Sequence, residues 1–106
     1  MREETFGPVL VLQPARDFEH ALQLLSAPRQ GLSAALFTRD RRRQKTFLQA
    51  AKSGLLKINQ GTVGTVAEAP FGGWGSSGIG PAEHGPADAE FFGRWQTICE
   101  ETPHVP

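Results

Sequence analysis

Between Gly61 and Gly85 the chain places eight of its twelve glycines. The densest part runs Ala69-Pro70-Phe71-Gly72-Gly73-Trp74-Gly75-Ser76-Ser77-Gly78-Ile79-Gly80. Such a stretch is neither a helix nor a regular strand, because glycine loses the most backbone freedom on ordering and has no side chain to pack. Its presence signals positive φ or a backbone that approaches something closely. A long ordered loop in a compact domain is usually functional or packed on its own aromatics, here Phe71 and Trp74. Regular structure must therefore come mainly from residues 1–59.

Those residues alternate strand-like and helix-like signals. Val9-Leu10-Val11-Leu12 is an apolar run with β-branched members, stopped by Pro14, and reads as a buried strand. Asp17 is a good N-cap for a helix in which Phe18, Ala21, Leu22 and Leu25 form one stripe. Pro28 and Gly31 end it. Leu32 to Phe37 is again strand-like. Asp40 caps a second helix with Phe47, Leu48 and Ala51 on one face, and Gly54 is placed at its C′ position. Leu55 to Asn59 is a third strand. The order implies an α/β fold: a βαβαβ unit with a parallel sheet, followed by the long Gly-rich loop. After the loop, Pro86 to Phe92 suits one or two helical turns, and Trp95 to Glu100 a C-terminal strand.

Composition excludes several classes. With 106 residues, 39% hydrophobic and 21% charged, the chain reads as one globular domain. Eleven basic residues balance eleven acidic ones, which argues against a nucleic-acid partner. The basic run Arg39, Arg41, Arg42, Arg43 and Lys45 has no interleaved aromatics and reads as the solvated first turn of the second helix. No apolar run approaches the roughly 20 residues of a membrane span. Met1-Arg2-Glu3-Glu4 carries no apolar signal-peptide core, so the expected compartment is the cytoplasm. One cysteine, Cys99, forms no internal disulfide, and the three histidines, His20, His84 and His104, have no ligand spacing, so no metal is expected.

Gly73-Trp74-Gly75-Ser76-Ser77-Gly78 formally matches G-x-G-x-x-G, but Pro70 precedes it and Gly80-Pro81 interrupts the helix that should follow. It is a decoy. Cys99 lacks the helix N-terminus or cationic neighbour that activates a thiol and reads as a small apolar strand residue. No Ser/His/Asp set or carboxylate pair is defensible, so no catalytic residue is assigned. The opening Glu3-Glu4-Thr5-Phe6-Gly7-Pro8-Val9 is more informative. A carboxylate accepts two hydroxyl hydrogen bonds from a sugar, and a ring two residues on offers a flat surface to a heterocycle.

In order along the chain, four blocks resemble the C-terminal region of the aldehyde dehydrogenase superfamily. Residues 3–9 resemble its acidic-Phe-Gly-Pro block, and Gly31 to Asp40 its next strand. Gly54-Leu55-Leu56-Lys57-Ile58-Asn59 resembles the strand ending in asparagine, and Pro70-Phe71-Gly72-Gly73 through Gly80 the glycine-rich block. Residues 1–94 would then belong to the catalytic domain, and 95–106 to the closing oligomerisation strand and tail. The Asn59-to-Pro70 loop has a slight likeness to semialdehyde-oxidising members, although no cationic residue within it marks a carboxylate-bearing tail.

The resemblance implies roles residue by residue. Glu4 would bind the nicotinamide ribose of NAD or NADP, and Phe6 would pack near the nicotinamide. Phe71 would line the aldehyde pocket, with Gly64 and Thr65 touching the substrate tail. Asn59, Gly72 and Gly73 would give structural support. The partners implied are a small-molecule aldehyde and further copies in a homo-oligomer. In the family a cysteine attacks the aldehyde carbon, hydride passes to NAD(P), and an activated water releases the acid. The nucleophilic cysteine, the general-base glutamate and the dinucleotide-binding units all precede the first block, and none is in these 106 residues. The chain by itself is therefore expected to be inactive. The rivals are a non-catalytic aldehyde-dehydrogenase-like lid or dimerisation module and an unrelated small α/β binding domain. Two helices on one side of a parallel sheet also leave its other face bare, which predicts self-association.

Overall fold

The structure, a computed structural model, describes residues 3–101. Asp17 opens helix α1 (Phe18–Leu25), its carboxylate accepting from the His20 backbone N–H at 2.7 Å. That bond satisfies a donor that the first helical turn leaves without a partner. Asp40 opens α2 (Arg41–Ala50) in the same way, accepting from the N–H groups of Arg42 and Arg43 at 2.8 and 3.2 Å. The basic run lies at the start of α2, and its Arg43 guanidinium sits 5.7 Å from the Phe18 ring centroid. This cation–π contact joins the two helices.

Besides α1 and α2, the chain forms β1 (Gln30–Gly31), β2 (Ser33–Leu36), β3 (Leu55–Ile58) and β4 (Trp74–Gly75), then a 3-10 turn at Gly85–Ala87 and α3 (Asp88–Phe92). Strands β2 and β3 are parallel, with Ser33 opposite Leu55 and Leu36 opposite Ile58. Side chains alternate across a strand. One face accordingly sends Ala34, Leu36, Leu56 and Ile58 to pack with Phe18, Leu22, Phe47 and Ala51. Phe47 is fully buried at the centre. Strands β1 and β4 form a separate antiparallel pair.

The α/β class and the parallel sheet agree with the sequence pattern, and the helical turns run from Gly85 to Phe92, starting one residue before the predicted 86–92 segment. Several boundaries need correction. Val9–Leu12 is not a strand: it has no ladder partner among the described residues, and Leu10 and Leu12 are 84% and 85% exposed. The parallel sheet therefore has two strands, joined by one βαβ crossover, instead of three. Trp95–Glu100 is likewise unpaired, with Trp95 100% exposed and Cys99 exposed instead of packed in a strand. Both runs have strand composition, but a ladder needs an edge to bond to, and the described chain offers them none. Gly54 is not the C′ residue, because α2 ends at Ala50 and Ala51 is already extended. Glycine is required there for close approach: a Cβ would overlap the Gly72 carbonyl oxygen. His104 and the end of the 95–106 segment lie outside the described residues.

These unpaired runs leave the chain unusually open. Its accessible surface is 9377 Å², whereas a folded monomer of 11.5 kDa exposes about 5,800 Å². The radius of gyration is 20.3 Å, against about 13 Å for a compact domain of this length. Leu10, Leu12, Phe92, Trp95 and Ile98 are all exposed, the kind of apolar surface that drives association. Sedimentation of the isolated chain at tens of micromolar is expected to show self-association, and a monodisperse monomer would contradict this.

Candidate functional site

Glu4 borders an open cleft of about 420 Å³, within the size range of small-molecule sites. Its other walls come from distant parts of the chain: Leu25 at the end of α1 and Pro28 just after it, Gly31 to Ser33, Ser53 before β3, and Ser77 in the glycine-rich bend. The bend is tied down by side chain and backbone. The Ser77 hydroxyl accepts from the Gly31 N–H at 3.0 Å, and the Ser76 N–H donates to the Arg29 carbonyl at 2.9 Å. An acidic side chain near the start of the sequence therefore shares a concavity with the glycine-dense bend.

Phe6 does not share that cleft. Its ring is 93% exposed and borders a separate hollow lined by Glu4, Thr5, Gly7, Val9 and Val11. Gly7, at φ +146°, sits where the chain turns, and the Val9 N–H closes back on the Gly7 carbonyl at 2.8 Å. Phe71 also stands apart. Its backbone pairs with Glu83 through N···O distances of 2.7 and 2.9 Å, and its ring stacks on His84 at 5.7 Å between centroids. The anchors expected for the glycine-rich loop thus divide: Phe71 is half-buried on His84, while Trp74 pairs through its backbone with Gly31 and leaves its side chain exposed.

The residues read as supports are placed by definite contacts. Asn59, at φ +54°, accepts from the Thr38 N–H at 2.8 Å and donates to the Thr38 carbonyl at 3.1 Å, linking the ends of β2 and β3. A Cβ on Gly72 would lie 3.1 Å from the Ala82 Cα, and one on Gly73 would overlap the Ser77 carbonyl. The apparent G-x-G-x-x-G segment therefore folds back on itself, and no helix opens from Gly78. Gly64 and Thr65 are exposed in the loop after β3, where the Lys57 ammonium donates to the Val63 and Gly64 carbonyls.

Sequence reasoning passed over Ser53, Ser77 and Lys57. Ser77 could have been noticed as a hydroxyl amid glycines, and Lys57 as a charge inside an apolar strand; nothing in the sequence marks Ser53. Among the described residues no group of three or more His, Cys, Asp or Glu could hold a metal ion. None of the described helices is long and apolar enough to cross a membrane.

The model of the aldehyde dehydrogenase family matches residues 1–98. The chain belongs to the aldehyde dehydrogenase family. It is 43% identical to a vanillin dehydrogenase of Pseudomonas fluorescens, over 99% of this chain and 22% of that protein. It is 36% identical to an alpha-ketoglutaric semialdehyde dehydrogenase of Bacillus subtilis, over 92% of this chain and 20% of that protein. Among solved structures, HpcC of Thermus thermophilus superposes with a TM-score of 0.82 at 36% identity, over 99% of this chain and 20% of that one. Betaine aldehyde dehydrogenase of Staphylococcus aureus, solved in complex with NAD+, gives 0.77 at 32% identity, over 86% and 18%. The chain thus spans about a fifth of the length of the relatives it matches, and its architecture is that of a fragment of the aldehyde dehydrogenase fold.

Proposed function

We propose that this chain supplies cofactor and substrate walls to an NAD(P)-dependent aldehyde dehydrogenase whose chemistry is completed by the rest of the fold. The substrate class is an aldehyde, taken to its carboxylic acid; semialdehydes are the narrower expectation, in keeping with the semialdehyde dehydrogenases among the relatives. One observation carries the reading: Glu4 and Ser77 line one cleft.

The acceptor and the ring suit a dinucleotide. Glu4 is exposed, and a carboxylate can accept from both hydroxyls of a ribose. The Phe6 ring stands in the open two residues on, a flat apolar face of the kind a heterocycle stacks on. When bound, NAD(P) supplies the hydride acceptor. Within this chain, Glu4 holds and orients the cofactor sugar, Phe6 shields its ring from water, and Phe71 presents an apolar edge to the aldehyde. Gly64 and Thr65 contact the aldehyde tail, while Asn59, Gly72 and Gly73 keep the walls in register.

The test is Glu4→Gln in a complete enzyme carrying these 106 residues. Losing a charged acceptor should raise the KM for the cofactor roughly tenfold or more while leaving that for the aldehyde nearly unchanged. An unchanged cofactor KM would contradict the assignment and favour the non-catalytic lid or dimerisation reading.

A further inference from the structure

We propose that Lys57 is the positioning residue that shapes the loop carrying Gly64 and Thr65, and through it sets how tightly the aldehyde tail is held. The proposal rests on the reading of that loop as a substrate wall.

In β3, Leu56 and Ile58 turn to the helices and join the core. Alternation then puts Lys57 on the opposite sheet face, the one the two helices leave uncovered. There its ammonium donates to the Val63 carbonyl at 2.8 Å and also to the adjacent Gly64 carbonyl. Ser33, on the same face of the neighbouring strand β2, donates its hydroxyl to the Thr62 carbonyl at 3.4 Å. Three successive carbonyls are therefore held by two side chains of the sheet.

Little else shapes the loop. Among the described residues, its one backbone–backbone bond is from the Ala69 N–H to the Val66 carbonyl, at the loop's far end. Gly64 adopts φ +85°, a conformation that an unrestrained chain visits but does not hold. With its carbonyls held against the sheet, the loop leaves Val63 and Val66 exposed as an apolar edge. A compact ammonium with three donors can serve two adjacent carbonyls at once, and its charge strengthens both hydrogen bonds. A positive charge that the loop sequence lacks is thus delivered from the strand beneath it, and it is engaged by backbone oxygens.

In a complete enzyme carrying this chain, Lys57→Met removes every donor at nearly constant length. The KM for the aldehyde should rise about tenfold, with kcat and the cofactor KM within about twofold of the unsubstituted enzyme. Lys57→Arg keeps paired donors and should return the aldehyde KM to within about threefold. Should the methionine variant fail to fold, Lys57→Gln, which retains one donor group, should give an intermediate KM. An aldehyde KM unmoved in Lys57→Met or Lys57→Gln overturns the assignment, as does a loss in Lys57→Arg equal to that in Lys57→Met. If the unsubstituted complete enzyme oxidises no aldehyde, the reading of the whole segment fails first; turnover with an unmoved KM removes Lys57 alone.

Discussion

Gly54→Ala is expected to destabilise this segment by about 3 kcal/mol or more. A Cβ at position 54 would overlap the Gly72 carbonyl oxygen and lie 2.8 Å from its carbonyl carbon. Neither side can yield cheaply. Gly54 is held by its own N–H bond to the Gly31 carbonyl at 3.0 Å. Gly72 is backed by Ala82, and it follows Phe71, whose backbone is paired to Glu83. Forcing atoms into such a contact costs about 3 kcal/mol or more when backbone must move. Ordinary domains are stable by only about 5–15 kcal/mol, and among the described residues the buried apolar core is Leu22, Ala34, Phe47 and Ala51. Gly61→Ala is the control, since a Cβ there meets nothing within 4 Å; it should be neutral or stabilising by roughly 0.4–1 kcal/mol. Thermal unfolding followed by circular dichroism compares them. Equal midpoints for Gly54→Ala and Gly61→Ala would show that the close approach is not required.

Much of the scaffold was legible because its signals are local. Asp17 and Asp40 announce their helices by side-chain chemistry acting within three residues. The apolar runs before and after α2 become β2 and β3 because a βαβ crossover supplies each with a partner. Val9–Leu12 and Trp95–Glu100 have similar composition and remain unpaired, since pairing depends on an edge elsewhere and composition cannot specify it. Gly54 illustrates a different limit. A glycine a few residues past a helix resembles a terminator, yet here the demand for it comes from Gly72, far along the chain.

The candidate site was readable in part for the same reason. Glu4 and the glycine-rich bend do share a cleft, but Phe6 and Phe71 each border a different surface. A short segment without ladder bonds has no fixed face, so its spacing could not say which way the Phe6 ring would point. Lys57 escaped notice because its role depends on which sheet face it occupies, and one strand's sequence leaves that choice to the neighbours that bury the other face.

On the proposed reading this chain is a wall of an enzyme, and a wall without its own nucleophile and base is expected to do no chemistry. Among the described residues the one cysteine, Cys99, is exposed in an unpaired run, and no helix begins at it. An unassisted thiol in water lacks the base and the preorganised donors that make aldehyde oxidation fast. The most direct measurement is reduction of NAD(P) during incubation of an aldehyde with the purified 106-residue chain, its intact mass verified. No rate above the protein-free blank is predicted. Sustained, aldehyde-dependent turnover by that chain alone would contradict its role as a wall that other parts of the fold must complete.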